Sequence, residues 1–280
     1  MKLIAIDLDG TLLSSDVEIT NENIEAIRNA QKEGHVVMIC SGRAPEDIKS
    51  LLHQYDLDCP VGGSNGTVVY ADGKLLSKVS ISTEDAASVK GLLDENGIPF
   101  KVYTDSGIYI HTSWTERVEA LIEQADSIPE QYVKHLDRVK EEPTTTKTEQ
   151  TFTELEELAD QHIQKFFILT LFEEPKARTM EALGEVTTIS TTSSGPFNVE
   201  VMDQYGNKGN GLKVMADYFN IPMENTVAIG DNLNDVPMLK KAGLSIAMGN
   251  ADPAVKELCD VTVGTNNESG VAQAFHNHIL

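Results

Sequence analysis

Cysteines, basic residues and long apolar runs are all scarce in this 280-residue sequence. The three cysteines, at positions 40, 59 and 259, lie far apart and include no Cys-x-x-Cys pair, so the sequence indicates neither a disulfide framework nor a zinc site. Reduced thiols of this kind favour a cytoplasmic location. No apolar run approaches the roughly 18 residues that a membrane-spanning helix needs. The first residues have the pattern of a strand and not of a secretion signal.

The scarcity of basic residues excludes two classes of partner. The chain has 22 lysines and arginines against 44 aspartates and glutamates, which gives a formal net charge of −22. Nucleic acids and anionic membranes bind basic surfaces, so we expect neither as a partner. A small anionic substrate would need local positive charge at its binding site, because the overall field of the protein repels it.

Both ends of the sequence alternate apolar strand patterns with amphipathic helices. The predicted strands cover residues 3–7, 36–40, 199–202, 226–229 and 244–248. Helices are predicted between them, the first starting at Thr20 and the second at Pro45. This alternation is typical of an α/β fold with a doubly wound parallel sheet. A hydrophobic content of 40% is enough for its core.

The middle of the chain has a denser charge pattern and a different order of elements. Ser82 caps a predicted amphipathic helix, residues 103–111 form a predicted hairpin, and residues 166–172 and 186–191 are predicted strands. The polar residues 141–148 predict a loop. We therefore expect a core domain of residues 1–81 and 191–280, with an α+β domain of residues 82–190 inserted into it.

Two aspartates, Asp7 and Asp9, stand at the end of the first predicted strand, directly before Gly10. In an open parallel sheet, ligands bind beyond the carboxyl ends of the strands. Two like charges this close repel each other unless one takes a proton or a cation lies between them, and both arrangements suit catalysis. Taken alone, the segment also fits an Asp-Gly turn with solvated carboxylates.

More residues with reactive or ionisable side chains stand at the ends of other predicted strands. Together with the first two aspartates, the set is Asp7, Asp9, Ser41, Lys208, Asp231 and Asp235. If the strands are parallel, all of these residues face one crevice. Four carboxylates outnumber the single lysine, so a dry site needs a divalent cation, and carboxylates with carbonyls suit Mg²⁺. With Mg²⁺ and Lys208, the crevice becomes favourable for a phosphate dianion.

The same residue types define a reaction. A carboxylate whose charge is screened by a metal is a competent nucleophile at phosphorus and forms an aspartyl-phosphate. A second carboxyl group two residues further on can protonate the leaving alkoxide and then take a proton from the attacking water. Ser41 and the backbone N–H groups of Gly10 and Gly42 can donate hydrogen bonds to phosphoryl oxygens.

The order of these motifs resembles the haloacid dehalogenase superfamily, and within it the phosphatases of the Cof type. The pattern of that family is D-x-D-G-T-L, then [ST]-G-R, then a lysine ahead of a helix, then G-D-x-x-N-D. The corresponding positions here are residues 7–12, 41–43, 208 and 230–235. Residues 65–66, 247–251 and 266–272 are further Cof-like pieces. The resemblance spans nearly the whole chain.

The resemblance implies a Rossmann-like core with an inserted α+β cap that closes over the site and sets the substrate. It also implies a Mg²⁺-dependent phosphatase of small phosphate monoesters. In such an enzyme Asp7 is the nucleophile and a magnesium ligand, and Asp9 is the general acid/base with its backbone carbonyl on the metal. Asp231 is a magnesium ligand, while Asn234 and Asp235 orient the metal shell and the lysine.

For the substrate, the resemblance implies that Ser41 and Lys208 hold the phosphoryl group, with Gly42, Arg43 and Asn65 close to the substrate. Hexose phosphates, flavin mononucleotide, pyridoxal phosphate and a phosphate of the riboflavin pathway are the substrates that it suggests. Two alternatives stay open. One is a phosphomutase on the same scaffold, in which a substrate hydroxyl and not water attacks the aspartyl-phosphate. The other is a non-catalytic sensor of phosphorylated ligands.

Overall fold

The chain folds into two compact units. The computed structural model describes residues 1–123, 149–195 and 197–280. One unit consists of Met1–Val79 and Tyr205–Leu280, and the other of Ser80–Gln204. The second unit is therefore an insertion between two parts of the first. The predicted loop at residues 141–148 lies outside the described residues.

The described residues form fourteen strands and nine α-helices. The strands are β1 (Leu3–Ile6), β2 (Val36–Cys40), β3 (Val61–Gly63), β4 (Val68–Ala71), β5 (Lys74–Lys78), β6 (Phe100–Thr104), β7 (Gly107–His111), β8 (Glu149–Phe152), β9 (Ile163–Leu169), β10 (Ile189–Thr192), β11 (Asn198–Asp203), β12 (Thr226–Gly230), β13 (Leu244–Ala247) and β14 (Val261–Thr262). The α-helices are α1 (Asn21–Lys32), α2 (Pro45–Gln54), α3 (Thr83–Glu95), α4 (Trp114–Glu123), α5 (Glu173–Leu183), α6 (Lys208–Tyr218), α7 (Val236–Lys241), α8 (Pro253–Leu258) and α9 (Gly270–Ala274).

The first unit is built on an eight-stranded sheet with the order β14-β13-β12-β1-β2-β3-β4-β5. The strands from β14 to β3 pair in parallel, and β3, β4 and β5 pair antiparallel. β1 lies between β2 and β12, and all four of its side chains are fully buried. This burial explains its uniformly apolar sequence, because both faces of an internal parallel strand are covered. The predicted α/β fold with a doubly wound parallel sheet is confirmed.

The predicted starts of the first two helices, at Thr20 and Pro45, are confirmed. The Thr20 hydroxyl accepts a hydrogen bond from the Asn23 N–H at 3.4 Å and caps α1. α1 then buries Ile24 and Ile27 against the sheet. α2 begins with Pro45, whose missing N–H costs nothing in the first turn of a helix. These helices return the chain to the start of each parallel strand, so the strands all end at one edge of the sheet.

The second unit contains a six-stranded sheet with the order β10-β11-β9-β6-β7-β8. Its strands pair antiparallel except for the parallel pair β7 and β8. Phe100 and Phe166 form the centre of its core, where they pack with Val89 and Leu93 of α3 and with Leu183 of α5. This is the α+β arrangement that the middle of the sequence predicts.

The predicted end of the inserted domain, at residue 190, lies too early. The predicted strand at 199–202 was assigned to the core, but it belongs to β11, which pairs with β9 and β10 in the second sheet. The second unit accordingly continues to Gln204. No helix within residues 1–123, 149–195 and 197–280 combines the length and the hydropathy needed to cross a membrane.

Candidate active site

Lys208 is the first residue of α6, and its side chain has no exposed surface. Asn207 caps the helix, because its side-chain oxygen accepts the N–H of Asn210 at 3.1 Å. Gly66, with a φ of +79°, packs against this helix start. A Cβ at Gly66 would come within 2.8 Å of the Asn207 carbonyl oxygen, so only glycine fits there. The close contact fixes where Lys208 enters the site.

The ammonium group of Lys208 bridges two buried carboxylates. It donates hydrogen bonds to Asp7 Oδ1 at 2.5 Å and to Asp235 Oδ1 at 2.6 Å. Asp7 directly follows β1, and its own N–H donates to the carbonyl of Ile229 in β12 at 3.0 Å. The three side chains are at most 6% exposed. Residues far apart in the sequence therefore meet at the carboxyl ends of β1 and β12.

Asp235 holds the loop after β12 in place with its second oxygen. Its Oδ2 accepts the backbone N–H groups of Asp231 at 2.9 Å and Asn232 at 3.0 Å. A Cβ at Gly230 would lie 2.5 Å from this carboxylate, which explains the glycine before Asp231. Both oxygens of Asp235 thus have protein partners, so this residue connects the loop to Lys208.

Asp231 is held by the loop that follows Asp7. The Thr11 hydroxyl donates to Asp231 Oδ1 at 2.7 Å. Gly10 has a φ of +81°, and a Cβ there would lie 2.5 Å from Asp231 Oδ2. Gly10 therefore permits both the turn and the close approach of Asp231. Thr11 was not among the predicted site residues, although its place two residues after Asp9 is a signal that could have suggested a role.

Burial and neighbouring negative charge perturb the acids of the site. Burial raises the pKa of Asp7 well above its ordinary value, and the charge of Asp235 raises it further against the opposing effect of Lys208. The pKa of Asp231 is raised to about 6, first by burial and then by Asp235. Burial disfavours the charged form of Lys208, but Asp235 and Asp7 outweigh it and raise its pKa. The cluster holds more negative charge than one lysine balances.

The donor set fits a divalent cation. Asp7, Asp231 and Asp235 each offer a carboxylate oxygen, and these oxygens all lie within 4.8 Å of one another. Lys208 contacts Oδ1 of Asp7, and Thr11 contacts Oδ1 of Asp231. Hard oxygen ligands suit Mg²⁺, and a cation here would relieve the repulsion that raises both pKa values.

The resemblance also predicts that Asp9 contacts the metal through its backbone carbonyl. Its side-chain carboxylate is directed toward Arg43. Arg43 Nε donates to Asp9 Oδ2 at 2.9 Å, and Arg43 Nη2 donates to Asp9 Oδ1 at 2.5 Å. The Asp9 side chain is 56% exposed. The hydrogen bond that the Arg43 guanidinium donates to Asp9 is the main cause that raises the pKa of Arg43. A metal contact through the Asp9 backbone carbonyl stays a prediction.

Ser41 and its neighbours follow β2 at the same edge of the sheet. The Ser41 side chain is buried, and its hydroxyl accepts the Arg43 N–H at 3.3 Å. The Ser41 N–H donates to the carbonyl of Gly62 in β3 at 2.9 Å. Gly42 lies between these residues and is half-buried. The segment predicted to hold a phosphoryl group is therefore fixed by β2 and β3.

Asn65 joins the Ser41 segment to the loop after β12. Its N–H donates to the Ser41 carbonyl at 2.8 Å, and its Oδ1 accepts Asn234 Nδ2 at 3.2 Å. Asn65 has a φ of +60°, a left-handed conformation that asparagine tolerates better than most residues. Asn234 Oδ1 is buried and has no hydrogen-bond partner in the described part of the chain. All ten predicted site residues thus lie in the first unit, and their roles stay predictions.

The sequence matches the haloacid dehalogenase-like hydrolase family over residues 4–275. It is 33% identical over 286 residues to the phosphatase YwpJ of Bacillus subtilis (strain 168), with both chains covered completely. It is 32% identical over 284 residues to the 5-amino-6-(5-phospho-D-ribitylamino)uracil phosphatase YwtE of the same strain, covering 97% of this chain and 96% of that relative.

A solved structure is also similar over its full length. It is a haloacid dehalogenase-like hydrolase from B. subtilis, with a TM-score of 0.86, 30% identity and complete coverage of both chains. The sequence match, the fold and the acidic site around Lys208 all indicate the same family. The predicted resemblance and the prediction of an enzyme are confirmed, and this chain belongs to the haloacid dehalogenase-like hydrolase family.

Proposed function

We propose that this enzyme is a Mg²⁺-dependent phosphatase of small phosphate monoesters. One observation carries the proposal: the buried ammonium group of Lys208 bridges Asp7 and Asp235 beside Asp231. This arrangement combines a nucleophilic carboxylate, a fixed positive charge and a set of oxygen ligands for a cation. The phosphatase names of two relatives above 30% identity support it.

Binding of the phosphoryl group is assigned to Lys208 and Ser41. Lys208 supplies a positive charge at a fixed position, because its backbone lies at the start of α6, which packs closely against Gly66. The Ser41 hydroxyl lies in the segment after β2 and donates to a phosphoryl oxygen. Asp235 stays bound to Lys208 and to two backbone N–H groups, so it maintains the geometry of the lysine throughout. These groups are in place before substrate arrives, which lowers the cost of reaching the transition state.

The reaction runs in two displacements. An oxygen of Asp7 forms a bond to phosphorus while the ester P–O bond breaks, and Asp9 gives its proton to the departing alkoxide. Water then attacks the phosphorus of the aspartyl-phosphate, Asp9 takes the water proton, and Asp7 is regenerated with release of inorganic phosphate. Mg²⁺, held by Asp7 and Asp231, supplies charge screening that lets an anionic nucleophile approach an anionic phosphate.

The ion pair of Asp9 and Arg43 has a consequence for this scheme. Both Asp9 oxygens accept hydrogen bonds from the Arg43 guanidinium. The proton that Asp9 gives to the alkoxide must first bind one of these oxygens, so Asp9 can act as the acid only after Arg43 has moved away from that oxygen. An anionic substrate provides a competing partner for Arg43, so substrate binding and release of Asp9 are coupled in this proposal.

A phosphate-release assay on the purified chain tests the proposed function. The substrates are p-nitrophenyl phosphate, hexose phosphates, flavin mononucleotide, pyridoxal phosphate and 5-amino-6-(5-phospho-D-ribitylamino)uracil, the compound in the name of one relative. We expect release with Mg²⁺, none with a chelator, and none from Asp7→Asn. Exposed Asp217→Asn is the matched control and should keep full activity. No release from any substrate with Mg²⁺ would contradict the proposal.

Two further parts of the proposal concern the whole chain. We propose that the second unit, Ser80–Gln204, is the cap domain that the family resemblance implies. We also propose that the ligand of the enzyme is a small phosphorylated metabolite and that the enzyme requires no macromolecular partner. The cytoplasmic location stays a prediction from the sparse cysteines. Product analysis with a sugar bisphosphate present distinguishes the phosphatase from a phosphomutase, because a mutase would return an isomeric phosphate and not inorganic phosphate.

A further inference from the structure

Two sequence pieces that the proposed reaction does not use meet at the turn after the nucleophile. They are the segments around Asn250, which follows β13, and around Asn266, which follows β14. Asn250 Nδ2 donates to the Gly10 carbonyl at 2.8 Å. Asn266 Nδ2 donates to the Leu13 carbonyl at 2.8 Å. Each end of the turn from Gly10 to Leu13 is therefore held by an asparagine amide.

The two asparagines are also bonded to each other. The Asn266 backbone N–H donates to Asn250 Oδ1 at 2.9 Å, which uses the acceptor side of the same amide that holds Gly10. A continuous chain of hydrogen bonds thus runs from Gly10 through Asn250 and Asn266 to Leu13. We call this set of bonds the asparagine clamp. It connects the turn to the loops after β13 and β14, and the proposed reaction assigns no other role to these loops.

The turn does not need the clamp in order to form. Its own backbone closes it, since the Leu12 N–H donates to the Asp7 carbonyl at 3.3 Å and the Leu13 N–H donates to the Leu8 carbonyl at 2.9 Å. The Gly10 carbonyl lies in an exposed contact with Asn250, where water could replace the amide. The bond to Asn250 therefore contributes little to folding and mainly fixes where the turn lies.

Two groups of the site depend on where this turn lies. Asp9 is part of the turn, and its exposed side chain is held by Arg43. Asp231 accepts the Thr11 hydroxyl at 2.7 Å and approaches Gly10 so closely that no Cβ fits between them. A shift of the Gly10 peptide would move both carboxylates relative to Asp7.

We propose that Asn250 and Asn266 are positioning residues, which set the places of Asp9 and Asp231 by clamping the backbone of the turn between Gly10 and Leu13. The inference rests on the proposed phosphatase function. In the proposed mechanism Lys208 and Ser41 bind the phosphoryl group and the asparagines do not, so their loss is expected to change the rate of the chemical step and not the binding of substrate. A displacement of the order of 1 Å costs about 100-fold in rate where reacting groups must align.

The test compares Asn250→Ala and Asn250→Asp with a matched control, Asn267→Ala. Asn267 is an exposed asparagine next to Asn266 in the loop after β14, and it bonds to the N–H and the hydroxyl of Ser15, beyond the turn. Asn250→Asp keeps the acceptor for Asn266 but replaces the donor to Gly10 with a repelling oxygen. We expect both Asn250 variants to lower kcat for p-nitrophenyl phosphate about 10-fold to 100-fold with KM changed less than about twofold.

A second readout does not depend on activity. Hydrogen exchange measured by mass spectrometry should be faster in residues 8–13 of both Asn250 variants than in the control, with melting temperatures equal to that of the control. A kcat equal to that of Asn267→Ala, or unchanged exchange in residues 8–13, would overturn the inference. So would a loss of kcat that follows a matching loss of melting temperature. If the wild-type chain releases no phosphate, the proposed function fails, and the exchange measurement alone decides on the clamp.

Discussion

Replacing Lys208 by methionine should destabilise the first unit strongly. The substitution keeps the length of the side chain but removes the ammonium group that bridges Asp7 and Asp235. Both carboxylates would stay at most 6% exposed, beside Asp231 and without their cation. Breaking a buried ion pair by removing one partner costs about 3–5 kcal/mol. We expect the free energy of unfolding without metal to fall by about that amount.

Urea unfolding followed by circular dichroism, in a chelating buffer at about neutral pH, measures this loss. The control is Lys213→Met in the same helix, because Lys213 is about half exposed and pairs with Asp217 on the surface. An exposed pair of this kind is worth less than about 1 kcal/mol. With Asp235→Asn already present, Lys208→Met should cost less, since one of the two unpaired charges is gone. A loss for Lys208→Met no larger than for Lys213→Met would refute the reasoning.

Three more predictions follow from the geometry. The pKa of Asp231 is about 6 in the folded chain against an ordinary 3.8, so the metal-free fold binds this proton more tightly than the unfolded chain and loses stability as pH rises through that window. Mg²⁺ competes with the proton, so the rise in melting temperature on adding Mg²⁺ should be larger at about pH 7.5 than at about pH 5, and an equal rise at both would contradict this. Arg43→Lys keeps the positive charge but loses the paired N–H donors of the guanidinium, so it should raise KM for an anionic substrate about tenfold. An unchanged KM in steady-state kinetics would argue against a contact between Arg43 and the substrate. Gly10→Ala places a Cβ 2.5 Å from Asp231 Oδ2 at a φ of +81°, so it should weaken Mg²⁺ binding measured by calorimetry, and full affinity would show that the turn adapts.

The sequence was sufficient to predict the parallel strands β1, β2, β12 and β13 at the centre of the sheet and the acidic residues that follow β1 and β12. Uniformly apolar runs such as β1 and β2 are distinctive of internal parallel strands, because both faces are buried. The ends of such strands lie at one edge whatever the details of the helices. That rule predicts that Asp7 and Asp231 meet, because they follow β1 and β12, and the structure brings their carboxylate oxygens within 4.8 Å of each other. Lys208 was expected at this edge as a residue after a core strand at 199–202, but β11 lies in the other sheet, and Lys208 reaches Asp7 from the start of α6.

The partner of a strand was harder to predict than the strand itself. The strand predicted at 199–202 was assigned to the core, but β11 carries Glu200 among its apolar residues and pairs with β9 in the other sheet, and nothing in a local pattern specifies a pairing partner. β5 was missed altogether. It is an edge strand with lysines at both ends and mostly accessible side chains, so it lacks the apolar signal of an internal strand.

The different roles of the acidic residues also depend on three-dimensional geometry that their spacing in the sequence does not specify. Asp9 and Asp235 are both carboxylates next to a strand end, but Asp9 is exposed and pairs with Arg43, while Asp235 is buried with both oxygens bonded. Likewise Asn250 and Asn266 were visible only as members of motifs. Their contacts with Gly10 and Leu13 span more than two hundred residues of sequence.

Trapping the covalent intermediate determines whether Asp7 is the nucleophile. In Asp9→Asn the nucleophile Asp7 remains but the base for the second step is missing, and p-nitrophenyl phosphate has a leaving group that needs no proton. The variant is incubated with this substrate and Mg²⁺, quenched in acid, digested with pepsin and analysed by mass spectrometry. We expect a peptide that carries one phosphoryl group on Asp7, and no such peptide when Asp7→Asn is added. A wild-type rate of p-nitrophenol release from Asp7→Asn, with no phosphoryl group on residue 7 in any variant, would contradict this expectation.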